Sequence, residues 1–324
     1  PIEPVFVDYK KDMSQFEAQP GIDVLYKKNE TNDIFTLIYV FNTGTENDPA
    51  LNLAFNYLSY LGTDKMTAEE IASEMYDIAC SFYMNAGANQ SSIQITGLSE
   101  NMGKAMEIVE GLIAGAKPDE AILENLKGDM LKSRADAKLN QSRCFGALQR
   151  YLFYGGDFIR RTTLTDPALQ ALTSEQLLAK IGGLMGKQHE VLYYGPQKET
   201  EIKSALAEHH KVAADLQPLE KKFSALLPTD ANKVVLAQYD AKQLYYLQFS
   251  NRGEKFDVAA DPEITLYNEY FGGGMNTIVF QEMREARGLA YSAWATLATP
   301  SNANGDYSYY AFIATQNDKM QKAV

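Results

Sequence analysis

At 324 residues, with 45% hydrophobic and 22% charged side chains, the chain has room for two domains that each bury a core. A formal net charge of −12 argues against a nucleic-acid partner, which calls for basic patches, and suits a surface that tolerates basic peptides. No apolar run approaches the roughly 20 residues of a membrane span.

No basic stretch followed by an apolar core opens the sequence, so no signal peptide is read there. The missing initiator Met reads as the mark of a processed or partial chain. Cys80 and Cys144 lack C-x-x-C spacing and are too few for a disulfide framework, so both are expected as buried free thiols. The compartment, bacterial periplasm or cytoplasm, stays open on these grounds.

Residues 1–20 read as a lead-in arm. Ile22–Lys27 and Ile34–Phe41 are apolar, β-rich runs around the polar turn Asn29–Asp33, which predicts a hairpin. A helix is expected over Pro49–Leu61 and another over Ala68–Ile78. Strands Ser81–Ala86 and Ser91–Leu98 flank a Gly87-Ala88-Asn89 turn. Helices follow over Glu100–Ala114, Asp119–Leu139, Arg143–Tyr154 and Thr173–Leu184. His189–Tyr194 is a further strand, and the first domain closes near His210. Residues 211–232 carry two prolines and mixed charge and read as a linker.

From Lys233 the pattern begins again. Lys233–Tyr239 and Gln243–Ser250 predict a second hairpin, and a helix near Pro262–Tyr270 leads to Gly272-Gly273-Gly274. Leu61-Gly62-Thr63 stands opposite Phe271-Gly272-Gly273, and Glu74-Met75 opposite Glu282-Met283, an internal duplication offset by about 210 residues. Thr315–Val324 matches only the beginning of the helix near Asn101. The expected fold is α+β: two tandem duplicated domains (1–210 and 233–324), each a mostly antiparallel mixed sheet flanked by helices, the second one truncated.

The stretch Tyr270–Ala293, YFGGGMNTIVFQEMREARGLAYSA, carries the chemistry. Ile278, Val279, Met283 and Ala286 have helical spacing, with Asn276 as the candidate N-cap and Gly288 just past the C-terminus. Arg284 and Arg287 fall in the last turn, where cations suit the helix dipole, and Tyr291 follows on a strand. The glycines lack the Lys-Ser/Thr of a phosphate loop, which leaves close strand–helix packing or backbone approach to a peptide.

This stretch strongly resembles the second-domain signature of the pitrilysin/insulinase-like zinc peptidases, and the repeat of hairpin, helix, strands and helices extends the likeness over nearly the whole chain. The resemblance implies that the zinc-bearing half carries His-x-x-Glu-His on the helix after the first hairpin, with a third ligand, a Glu, some seventy-odd residues downstream. Here that helix reads Leu53-Ala54-Phe55-Asn56-Tyr57, and Leu131–Ala135 offers no acid. Of the three histidines, His189 falls on a strand, while His209 and His210 are adjacent and read as a solvated helix end. No metal ligand is therefore assigned, and no cofactor is expected in this chain.

The resemblance implies further that Arg284 and Tyr291, seven residues apart, reach across from the non-zinc half to hold the substrate backbone and polarise the scissile carbonyl. Gly272, Gly273, Gly274 and Arg287 are then candidate substrate-binding residues. The expected partners are a zinc-bearing half, in the same polypeptide or separate, and a peptide. The rival expectation is a catalytically inactive scaffold or assembly subunit of the same fold.

Overall fold

The computed structural model describes residues 8–220 and 224–324. The first seven residues of the expected lead-in arm, and 221–223 of the expected linker, lie outside the described residues. No described helix is long and apolar enough to cross a membrane. Two compact units interleave along the chain. One takes the described residues up to Ser133 and Arg161 to Glu220; the other takes Arg134–Arg160 and Ser224–Val324.

The first unit is a six-stranded mixed sheet with helices. Its strands are β1 (Ser14–Gln19), β2 (Ile22–Lys28), β3 (Ile34–Phe41), β4 (Cys80–Ala86), β5 (Ser91–Leu98) and β6 (His189–Gly195). Their order is β1-β2-β6-β3-β5-β4, with only β2 and β6 parallel. Two expectations are corrected here. Residues 14–19 are no loose arm but an edge strand, with Phe16 and Ala18 alternating onto the core. The β2/β3 hairpin does not form either: β6 enters between them, and the Asn29 amide bonds the Gly195 carbonyl at 2.7 Å. A five-residue turn is wide enough for strands separated by two ladder spacings, about 10 Å.

Local chemistry sets the helix starts. The helices Ala68–Asp77 and Ser174–Met185 open on capping boxes, Thr67 with Glu70 and Thr173 with Gln176. Asp166–Ala171, absent from the sequence reading, and Glu199–His209, of which only the end was read there, complete the cover. The core lies between sheet and helices, where Val24, Leu37, Ile95 and Val191 meet Leu53, Tyr57, Met106 and Leu177, all at most 2% exposed.

The second unit has three strands, β7 (Gln243–Ser250), β8 (Ala290–Ala298) and β9 (Ser308–Gln316), ordered β7-β9-β8. This repeats β3-β5-β4 of the first unit, and a short 3-10 turn leading into a helix follows β9 as it follows β5. Lys233–Tyr239 is not a strand, contrary to expectation. The reason lies in the first unit, where β2 takes its ladder from β1 and β6 and none from β3. The second unit holds no strand in the β6 position among the described residues, so a β-prone segment finds no partner. One face of this sheet is covered by the first part of the helix Gln141–Thr162, whose Phe145 and Phe153 sit 5.5 Å from Tyr245 and 4.6 Å from Phe249, centroid to centroid.

Candidate functional site

The helix Asp261–Phe271 ends at the outer edge of β8. Asn268 Nδ2 donates to the Leu297 carbonyl at 2.9 Å and Asn268 Oδ1 accepts from the Leu297 amide at 2.8 Å, while the Gly272 carbonyl accepts from Ala295 N at 3.3 Å. A Cβ on Gly272 would lie 2.3 Å from the Ala295 carbonyl oxygen, and one on Gly273 would lie 2.8 Å from that of Asn268. Both positions are thus glycine because backbone meets backbone. A Cβ on Gly274 would meet nothing within 4 Å.

Thr277, and not Asn276, starts the signature helix. Thr277 is buried, its backbone carbonyl accepts from Gln281 N at 3.0 Å, and its hydroxyl ties back to the Gly274 carbonyl at 2.6 Å. The helix opens as an α turn over Ile278–Phe280 and widens into a π turn over Gln281–Ala286, with the Arg287 amide bonding the Glu282 carbonyl at 3.2 Å. Gly288, at φ 56°, ends it in the left-handed conformation expected for that position. Lys319 Nζ, at 3.0 Å, caps the Gly288 carbonyl. Arg287 instead has its Nε 3.5 Å from Glu282 Oε2, an exposed pair.

The chain enters β8 through a bulge: Ala290 pairs with Thr315 and Ser292 with Ala314, leaving Tyr291 out of the ladder. Thr315, buried, fixes this entry by a 2.6 Å bond to the Leu289 carbonyl. Tyr291 is 72% exposed, and its hydroxyl makes no hydrogen bond among the described residues. The structure brings Arg284 and Tyr291 together: the guanidinium carbon lies 5.3 Å from the tyrosine ring centroid. It also lies 4.9 Å from the Phe280 ring. The spacing showed neither the π turn, the bulge nor the role of Phe280. Phe280 stands four residues before Arg284, which is a helical-neighbour signal.

On the helix Leu51–Leu58, the positions that the resemblance sets against His-x-x-Glu-His carry neither His nor Glu. Leu53 and Tyr57 are buried in the core, and Tyr57 donates to Ser174 Oγ at 2.7 Å and accepts from the Asp119 amide at 2.8 Å. Asn56 is exposed. Among the described residues no group of three His, Cys, Asp or Glu side chains could hold a metal ion.

The histidines correct one expectation. His210 is no solvated helix end but 6% exposed, with Nε2 at 2.8 Å from His189 Nε2 and Nδ1 at 2.6 Å from Glu110 Oε1. Burial pushes His189 down to about 4, the Lys187 carbonyl opposing and His210 assisting. The Tyr39 phenol is raised by burial and then by Glu110. Cys80 is buried as expected and its thiol is raised by burial, while Cys144 is only half-buried.

Comparison with known proteins bears on the whole chain. Residues 188–324 match the family described as the peptidase M16 inactive domain. An uncharacterized zinc protease of Streptomyces coelicolor is 23% identical over 266 residues, 76% of this chain and 56% of the relative. Another, from Rickettsia bellii, is 22% identical over 329 residues, 96% of this chain and 76% of its own. The chain therefore spans little more than half of the first of these relatives. Among solved structures, a peptidase M16 inactive domain from Pseudomonas fluorescens superposes with a TM-score of 0.75 at 18% identity, over 94% of this chain and 74% of that one. The periplasmic protease PqqL from Escherichia coli gives 0.77 at 14% identity, over 97% of this chain and 35% of that one. At such identities these two show a shared fold.

Proposed function

Because the chain belongs to the pitrilysin-like M16 peptidases, as a domain of their inactive kind, we propose that it is the non-zinc half of a zinc-dependent metalloendopeptidase. In this reading a separate zinc-bearing half, in the same polypeptide or another, carries the metal, and the two close around an unfolded peptide. This chain contributes the wall that faces the scissile bond.

One observation supports the assignment above the rest: Arg284 and Tyr291 share a contact and an open face, with the Tyr291 hydroxyl uncommitted to the protein. A guanidinium and a phenol are donors suited to a peptide carbonyl whose oxygen gains negative charge as water adds to it. Arg284 would bond the substrate backbone or that oxygen through its Nη groups, and Tyr291 through its hydroxyl. Gly274, ten residues before Arg284 and with open space at its Cα, would give an extended peptide room to approach backbone to backbone. Arg287, tied to Glu282 and exposed, would act as a rim charge for the substrate's polar groups.

The test is hydrolysis of an unstructured fluorogenic peptide by this chain alone and mixed with its zinc-bearing half. Activity is expected only in the mixture, and Arg284→Ala or Tyr291→Phe should lower kcat by about 10²-fold or more. An active mixture indifferent to both substitutions would reduce the pair to structural residues. A mixture without any hydrolysis would favour the scaffold.

A further inference from the structure

We propose that Phe280 is a positioning residue for the site: with the Tyr291 ring it forms an aromatic clamp that holds the Arg284 guanidinium on its open face. The proposal rests on the peptidase reading of Arg284 and goes beyond it to a side chain that touches no substrate.

The guanidinium contacts two rings at once. Arg284 Cζ lies 4.9 Å from the Phe280 centroid and 5.3 Å from the Tyr291 centroid, both within the range in which a cation is drawn to a ring face. The two rings come from different devices. Phe280 ends the α-helical turn one turn ahead of Arg284, and Tyr291 arrives from the bulge at the start of β8. Between them the helix is widened into its π turn, and Arg284 sits inside the stretch closed by the Glu282–Arg287 bond. Widening a helix turns the residues within it to new directions, and Arg284, inside the widened stretch, reaches both rings.

The alternative partners of this cation are weak. Glu285 Oε1 lies 3.6 Å from Arg284 Nε, with side chains 42% and 54% exposed, so solvent screens the pair. Glu282 is engaged by Arg287. Without the clamp, a long side chain on the surface would sample many rotamers, and the carboxylates on its own helix would compete with a substrate carbonyl. Ring faces restrict the guanidinium while leaving its N–H groups unspent, because a cation–π contact uses the face of the cation and not its donors. Pre-set donors are what an oxyanion needs at the moment its charge develops. Phe280 is half-buried and has no polar atom, so its contribution is orientation alone.

Two readouts separate the clamp from the catalytic reading. The first is proton NMR of the chain alone: the Arg284 δ-methylene resonances are expected upfield of their random-coil position, from ring currents. They should move toward random coil in Phe280→Leu and stay upfield in Phe280→Trp. The second is peptide hydrolysis with the zinc-bearing half, where Phe280→Leu should lower kcat/KM about tenfold and Phe280→Trp should restore most of it. Random-coil Arg284 resonances in the wild-type chain would overturn the clamp whatever the activity. Full activity of Phe280→Leu, in a complex that Arg284→Ala inactivates, would overturn its positioning role while leaving the catalytic reading intact. If Arg284→Ala is itself fully active, the catalytic reading of Arg284 has failed and with it the positioning role of Phe280, even with the ring-current signature present.

Discussion

The three consecutive glycines are not equivalent, and their difference can be measured. Gly272 brings a helix end within hydrogen-bonding distance of the β8 backbone, so an added methyl would lie 2.3 Å from a carbonyl oxygen that cannot move without leaving the sheet. Gly272→Ala is expected to cost about 2–3 kcal/mol in urea unfolding, the range for overpacking against fixed neighbours. Gly274→Ala adds its methyl to open space and should stay within about 0.5 kcal/mol of the parent. That makes it the informative substitution: slowed hydrolysis at unchanged stability would place the peptide against this position. A large loss of stability would mean that the turn is tighter than the geometry indicates.

Elements of the first unit are tied together by a buried hydrogen-bond network. His189 on β6, His210 at the end of Glu199–His209 and Glu110 on Met102–Gly115 join three elements through bonds of 2.8 and 2.6 Å. Tyr39 and Phe41 of β3 stack beside the imidazoles. His189 Nδ1 faces the Lys187 carbonyl at 2.7 Å and so carries a proton, which leaves Nε2 to accept from His210. A second proton on His189 would set two N–H groups against each other. With a folded value near 4 against an ordinary 6.5, His189 stabilises the fold fully above pH 6.5. That contribution is lost as pH falls toward 4, because the unfolded state binds the proton first. The loss is on the order of 3 kcal/mol. Chemical denaturation at pH 7 and 4.5 should show a smaller acid-induced loss for His189→Gln than for the parent. Equal losses would locate the sensitivity elsewhere.

This network also marks where reading the sequence stops. The amphipathic helices, the β alternation and the Arg284/Tyr291 spacing are local patterns, and the chain displays them openly. The burial of His210 depends on Glu110, one hundred residues away, and nothing in the polar run around His209 announces it. Strand partnership is equally non-local. Ile22–Lys28 and Ile34–Phe41 look like a hairpin because they are adjacent in sequence, yet β6 separates them. Lys233–Tyr239 has strand composition, but composition supplies no ladder. Around Arg284 and Tyr291, the seven-residue spacing was legible. Their bulged supports were not, because a π turn and a β-bulge are differences of one residue that follow from packing.

At the scale of the whole molecule, the two units flank corresponding strands differently. In the first unit β3 is flanked by β5 and β6, whereas among the described residues its counterpart β7 pairs only with β9. The Asn268–Gly272 turn shields the outer edge of β8, and no described strand does the same for β7. In the same unit, Val234 and Leu236 stand 83% and 86% exposed in a segment that has strand composition and no ladder. An unpaired edge of N–H and C=O groups and a stretch of exposed β-formers are the ingredients of edge-to-edge growth. Sedimentation velocity of the protein should therefore reveal concentration-dependent self-association, reduced by Leu236→Lys, which places a charge where strands would stack. Monodisperse monomer across that range would show the edge to be protected. A strand whose outer groups meet no described ladder can be extended by a second copy of itself.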